Sequence, residues 1–289
     1  MISSVSLDNI YLFVAKSLLT YGNQTNPRGL PCIELNPGTF ELKDPRMNIL
    51  TNQTRKINKA YAAAELFWIL TSRNDVAFLD AYNPHVKQWS DNGKTFNGAY
   101  GPRVMPQWNY VLNKIKEDPD TRQAIMTIWT PNPTPSKDIP CTIALHFMQR
   151  RGALNLIVYM RSNDFWLGLP YDVHTFTCMQ ILMAGMLDLK IGWYKHIAGS
   201  LHHYQTAQDL HSLMYNARPP RVICAKTPQV FPLAKNHFTR YLDAVEDVHE
   251  MLVKNPEDHR ISRIMDQLPD FFRQKLEWMR EYRRNKKCN

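Results

Sequence analysis

Residues 142–161 constrain this chain more than any other stretch. TIALHFMQ and ALNLIVYMR are two apolar-rich runs of strand length, and Arg150-Arg151-Gly152 between them reads as a hairpin turn. In the second run Leu154, Leu156, Val158 and Met160 take one face, and Asn155, Ile157, Tyr159 and Arg161 the other. An apolar helix over about 173–188 follows, and then a strand leading into 199-GSLHHY-204. A hairpin, a buried helix and a further strand in this order call for helices packed on a mostly antiparallel or mixed sheet, an α+β fold.

The flanks fit that plan. Helices are expected over 6–20, 58–71 (capped by Asn58), 107–117, 239–254 and 268–284. Short strands are expected around the Pro-Gly turn of 31–41 and over 123–130; 83–103 reads as loop and 218–234 as extended. At 289 residues one domain over 1–289 is expected, with two smaller ones the alternative. No apolar run is long enough to span a bilayer, and the N-terminus lacks a secretory pattern. The cysteines (Cys32, Cys141, Cys178, Cys224 and Cys288) are odd in number and widely spaced, with no CxxC pair. They indicate neither a zinc site nor a disulfide framework, and a reducing cytoplasmic setting is the simplest reading. The net charge is +9, with much of the excess in 273-RQKLEWMREYRRNKKCN-289. Such a tail reads as a nucleic-acid surface or as a solvated helix end that frays; alternatively, the arginines hold a small anion.

Five places could carry chemistry, each with a plainer alternative. Cys141 in DIPCTIALHF is a nucleophile if a positive neighbour stabilises its thiolate, or else a core thiol. Arg161 and Ser162 in RSND bind a phosphate, or Arg161 pairs with Asp164. His202 and Tyr204 share a strand face and hold a sugar hydroxyl, or they are core. Glu65 in AAAELFWIL lies at a wet helix edge, or is buried with a raised pKa suited to passing protons. Asp172 in 168-GLPYDVHTF-176 caps the following helix, or it faces a ligand.

Taken together, AELFWIL, QWSDNGKTFNGAYG, DPDTRQAIMTIW, IPC, RSNDFWLGLPYDV and GSLHHY resemble the thymidylate synthase family over roughly residues 58–210, with a weaker echo at Arg28. The resemblance implies that fold, a homodimer with a sheet at its interface, and 5,10-methylenetetrahydrofolate as the one-carbon donor, with no metal. It implies a cytoplasmic enzyme of a bacterium or a phage-infected cell. By resemblance, Cys141 adds to C6 of a pyrimidine nucleotide, Tyr100 lies near the thiol, and Glu65 organises proton transfer and water. Arg28, Arg161 and Ser162 hold the 5′-phosphate, and Arg122 reaches the partner's phosphate. His202 and Tyr204 bind the 3′-hydroxyl. Asp164, Trp89 and Gly168 lie on the folate side.

The departures bear on the substrate. Asp172 stands where the synthases have asparagine. A carboxyl can accept from the N4 amino group of cytosine and, if a proton is shared, satisfy N3; an ionised one opposes O4 of uracil. Thr142 and Asn163 replace the synthases' histidine and cysteine, as in the cytidylate hydroxymethylases. The tail KKCN lacks the apolar segment that shuts water out, and Val86 replaces a tryptophan beside the folate. Gln123 replaces the second of two adjacent arginines. The expectation is a cytidylate 5-hydroxymethylase acting on dCMP. The rivals are a dCMP methyltransferase, an enzyme acting on CMP, and a non-catalytic nucleic-acid-binding protein.

Overall fold

The computed structural model describes residues 2–207, 210–215, 226–229 and 232–287. Its elements, in order, are β1 (Ile2–Ser4), α1 (Leu7–Tyr21), β2 (Asn23–Thr25), β3 (Cys32–Leu35), β4 (Gly38–Leu42), α2 (Lys59–Leu70), α3 (Val76–Asp80), α4 (Gly101–Val104) and α5 (Trp108–Glu117). Then come β5 (Ile125–Thr127), β6 (Thr142–Arg150), β7 (Ala153–Asp164), α6 (Leu169–Leu187), β8 (Lys190–Tyr204), α7 (Leu210–Tyr215), α8 (Lys235–Lys254), α9 (His259–Met265) and α10 (Asp270–Lys287).

One eight-stranded mixed sheet organises the chain, in the order β1-β4-β8-β7-β6-β5, with β3 also paired to β8 and β2 to β3. The hairpin forms as its sequence implies. Arg150 faces Ala153, and both turn residues, Arg151 and Gly152, have positive φ, the geometry of a two-residue turn that matches strand twist. β7 and β8 are parallel, and α6 crosses between them. Leu154, Leu156, Val158 and Met160 are buried, while Ile157 and Tyr159 on the opposite face are only half-buried. Lys195 and Ile197 stand beside these two on β8 and share that half-buried face.

α6 is apolar around its circumference, which marks a helix packed on all sides; it lies against β7, β8, α2 and α5. α2 begins as its sequence suggests, with the Asn58 side chain accepting the Tyr61 N–H at 3.0 Å. Some expectations need correcting. α6 starts at Leu169, not near 173, because Pro170 is tolerated in a first helical turn. The segment 83–103 is not wholly loop: it contains a 3-10 turn, Pro84–Trp89, and the start of α4. The strand read over 123–130 is ordered as β5 only over Ile125–Thr127. β1, β2 and α9 are too short for a periodic signal. Of the stretch read as extended, 218–225 and 230–231 lie outside the described residues, as do Cys224, Cys288 and Asn289.

Most of the basic tail is packed and not solvated as far as the described residues run. Through Lys287 it is α10, packed on α2, α8 and α9. Arg280 donates to the Pro256 carbonyl at 3.1 Å, and Arg283 to the Val253 and Ala81 carbonyls at 3.0 and 3.2 Å. Arg284 pairs with Glu257 at 2.7 Å. Val253 belongs to the last turn of α8, where the helix dipole favours a cation.

α10 also buries Lys275 completely. Its Nζ sits 3.8 Å from the Phe271 ring centre, beside Cys178, and burial lowers its pKa. Replacing a buried charge by an apolar side chain of similar length tends to stabilise. Lys275→Met is expected to add about 1–4 kcal/mol at neutral pH in urea denaturation. Because the folded state holds the Lys275 proton more weakly than the unfolded chain does, this gain should shrink as pH climbs toward the ordinary lysine value of 10.5.

Candidate active site

One cleft of about 200 Å³ opens between α2, the 86–100 segment, the loop before β6 and the start of α6. Glu65, Tyr100, Cys141, Asp172, Val86 and Trp89 all line it. Residues more than a hundred positions apart thus meet in one cavity.

Cys141 precedes β6, with its carbonyl accepting the Arg161 N–H at 2.8 Å. The Arg161 guanidinium donates to the Pro140 and Ile139 carbonyls at 2.9 and 3.0 Å and lies 3.6 Å from Sγ. These bonds hold the cation at the thiol. Burial nevertheless outweighs it and pushes the Cys141 thiol up, with Arg161 and Arg28 pulling the other way. The positive neighbour expected of a nucleophile is present, but in the free protein it does not make the thiolate the favoured form. Arg161 makes no ion pair with Asp164, whose Oδ1 accepts the N–H groups of Trp166 and Leu167, both at 2.8 Å.

Tyr100 is held by Thr142, whose N–H and Oγ1 donate to its hydroxyl at 3.3 and 3.1 Å. The residue that the sequence marked as a departure therefore orients a wall of the cavity. Glu65 projects from α2 into the cleft and accepts a 3.1 Å bond from the Tyr61 hydroxyl. Burial pushes its pKa up to about 7 from an ordinary 4.5, against that bond. Glu65 falls between the two readings: its side chain is half-buried at the cleft, yet its pKa is raised, which suits a group that gives and takes protons near neutrality.

Asp172 is not a helix cap. It lies in the first turn of α6, whose N-cap position is Gly168. Its Oδ2 accepts a 2.7 Å bond from Asn163 Nδ2 at the end of β7. Burial, and then the Glu65 charge, raise its pKa well above the carboxylate range. The sequence shows that Asn163 and Asp172 both depart from the synthases, but not that they touch.

The residues read as a phosphate and sugar site gather at the ends of β7 and β8. Ser162 stands beside Ser200, and Asp164 beside His202. His202 and Tyr204 meet edge to face, 4.9 Å between ring centres. Arg28, at positive φ, donates to the Tyr204 hydroxyl at 3.4 Å. Glu34, missed by the sequence reading, accepts a hydrogen bond from Ser200 beside His202. Arg122 is exposed just before β5, and three strands (β8, β7 and β6) separate β5 from β3 on the Arg28 side. Trp89 is 49% exposed at the cleft rim. Asp164 and Gly168 lie outside its wall, Gly168 against the Asn163–Asp172 pair. Among the described residues no cluster of three or more His, Cys, Asp or Glu could hold a metal ion, and no helix is long and apolar enough to cross a membrane.

Comparison with known proteins agrees with this geometry. The family profile described as Thymidylate synthase matches residues 9–257. A deoxyuridylate hydroxymethyltransferase of Bacillus phage SP01 is 34% identical over 284 residues, 91% of this chain and 70% of that protein. The thermostable thymidylate synthase A from Bacillus subtilis shares the fold, with a TM-score of 0.63 at 23% identity over 74% of this chain and 85% of its own.

The raised pKa of Glu65 carries a stability cost with a definite sign. The folded state holds this proton more tightly than the unfolded chain, so stability falls as pH rises from about 4.5 to about 7 and stays lower above. Glu65→Gln should remove that loss, gaining on the order of 3 kcal/mol over wild type near pH 8 and little near pH 4 in urea denaturation. The same variant should lose most of its turnover.

Proposed function

The chain belongs to the thymidylate synthase family of folate-dependent one-carbon transferases, and on that premise we propose that it hydroxymethylates C5 of a cytidine 5′-monophosphate, with dCMP preferred. The observation that carries this reading is Asp172, a carboxyl in the cleft with Cys141, held by a neutral amide and biased toward its protonated form. A neutral carboxyl accepts from N4 of cytosine and offers its proton to N3. That proton answers the charge that builds on the ring when a thiolate adds to C6.

Each residue then has a task. Cys141 adds to C6 and makes C5 nucleophilic, with Arg161 stabilising the thiolate once the nucleotide is bound. Glu65, poised near neutrality, accepts and returns protons around C5 and orders the water. Thr142 fixes Tyr100 beside the thiol. Arg28, Arg161 and Ser162 take the phosphate, and His202 and Tyr204 the 3′-hydroxyl. The co-substrate 5,10-methylenetetrahydrofolate supplies the methylene group and leaves as tetrahydrofolate. The open cleft between Glu65 and Trp89 is where it fits, with Asp164 and Gly168 toward its edge. Water, not hydride, completes the product in this reading, with the small side chain of Val86 in the wall of the cleft. Expulsion of Cys141 frees the 5-hydroxymethyl nucleotide, for a net reaction of dCMP, methylenetetrahydrofolate and water.

We take residues 1–289 as one catalytic unit that works as a homodimer. In this reading Arg122, exposed just before β5, serves the phosphate of the partner subunit. The half-buried sheet face of Ile157, Tyr159 and Ile197 supplies the interface.

A second reading, deoxyuridylate as substrate, is favoured by the name of the phage relative. A neutral carboxyl turned the other way also matches O4 and N3–H of uracil. One experiment separates the readings: incubate the protein with methylenetetrahydrofolate and dCMP, CMP or dUMP, and weigh the products. The expected outcome is a gain of CH2O on dCMP, with no dihydrofolate absorbance. A gain of CH2 with dihydrofolate would mean methylation, and a product from dUMP alone would replace the cytidylate reading.

A further inference from the structure

Asp172 alone cannot tell cytosine from uracil. A neutral carboxyl has one hydroxyl donor and one carbonyl acceptor, and its two oxygens are interchangeable. With its acceptor toward the substituent on C4 and its proton toward N3, it fits cytosine. With the two reversed, it fits uracil. Choosing a base therefore requires that the oxygens be made unequal.

Asn163 does this. Its Nδ2 donates to Oδ2 at 2.7 Å, while Oδ1 has no hydrogen-bond partner among the described residues. A donated hydrogen bond favours an oxygen as acceptor, so a proton on this carboxyl belongs on Oδ1. The arrangement is built in. Asn163 is 2% exposed, and a Cβ at Gly168 would come within 3.1 Å of Asp172 Oδ2 and 3.2 Å of Asn163 Nδ2. Only glycine leaves the bond uncrowded. The Asn163 carbonyl oxygen is buried with no partner among the described residues. An unmatched buried acceptor is a cost, so the amide is kept for its donor.

We propose that Asn163 is the specificity-determining positioning residue of this site: by holding Oδ2 as an acceptor toward the C4 substituent, it makes Asp172 read an amino group in preference to an oxo group. This rests on the cytidylate reading. The carboxyl is also faced by Glu65 and Tyr61 of α2, by Tyr100 and Cys141, by Asp164 of β7 and by Tyr194 of β8. Among the described residues, Asn163 alone gives it a side-chain hydrogen bond.

The test compares kcat/KM for dCMP and dUMP in wild type, Asp172→Asn, Asn163→Leu and Asn163→Ala. Each ratio is taken on one preparation, so that any loss of folded protein cancels. If turnover is too slow, the ratio of the two dissociation constants is read the same way. Wild type should favour dCMP and Asp172→Asn should favour dUMP. Both Asn163 variants should lose the dCMP preference by about tenfold or more. The alkaline limb of their dCMP pH profile should also move up, since a bond that eased loss of the Asp172 proton is gone. A wild type that favours dUMP, or an Asp172→Asn variant that still favours dCMP, overturns the functional reading. If both behave as expected while the Asn163 variants keep the wild-type ratio and pH profile, this inference alone fails.

Discussion

The parallel pairing of β7 with β8 sets the rest of the structure. Two parallel neighbours cannot be joined by a tight turn; the chain must cross the sheet and come back. α6 makes that crossing, so its first turn starts where β7 ends, and β8 finishes at the same edge. Ser162, Asn163 and Asp164 close β7, Asp172 opens α6, and His202 and Tyr204 close β8. Ligands in sheets with parallel strands tend to sit beyond the carboxyl ends of those strands. Asp172, His202 and Tyr204 are therefore brought to the same end of these strands by topology before any side chain is placed.

The cleft is acidic and poorly solvated, and that is its working condition. Burial first, and neighbouring carboxylates for Asp172 and Cys141, hold Glu65, Asp172 and Cys141 toward their protonated forms. Such a site is closer to neutral than its formula suggests, and arriving charge matters more than resting charge. A nucleotide brings a base that can engage the Asp172 proton, and the cation already fixed at Sγ then meets less opposition.

Much of this was legible in the sequence, and the reasons differ from residue to residue. The hairpin at 150–152 was readable because strand alternation and a glycine turn are local signals. Asn58 was readable because a cap bonds its own helix. Glu65 posed a choice that sequence could state but not decide, since burial depends on what packs against α2. The start of α6 was misplaced because Gly-Leu-Pro-Tyr has turn composition and yet Pro170 fits a first turn. That error alone kept the cap reading of Asp172 alive. The bonds from Asn163 to Asp172 and from Thr142 to Tyr100 join elements whose relative placement no local pattern encodes. Sequence marked all four of those residues as unusual or functional by position, yet could not pair them.

The guanidinium of Arg283 grips the carbonyl of Ala81, at the end of α3 and five positions ahead of Val86. That short path couples the last helix mechanically to the tryptophan-rimmed wall where a folate would lie. Shortening the chain from its carboxyl end, or tethering a fusion there, would reach the mouth of the cleft through this clasp, so a change that looks peripheral in sequence becomes a change in how the second substrate is received.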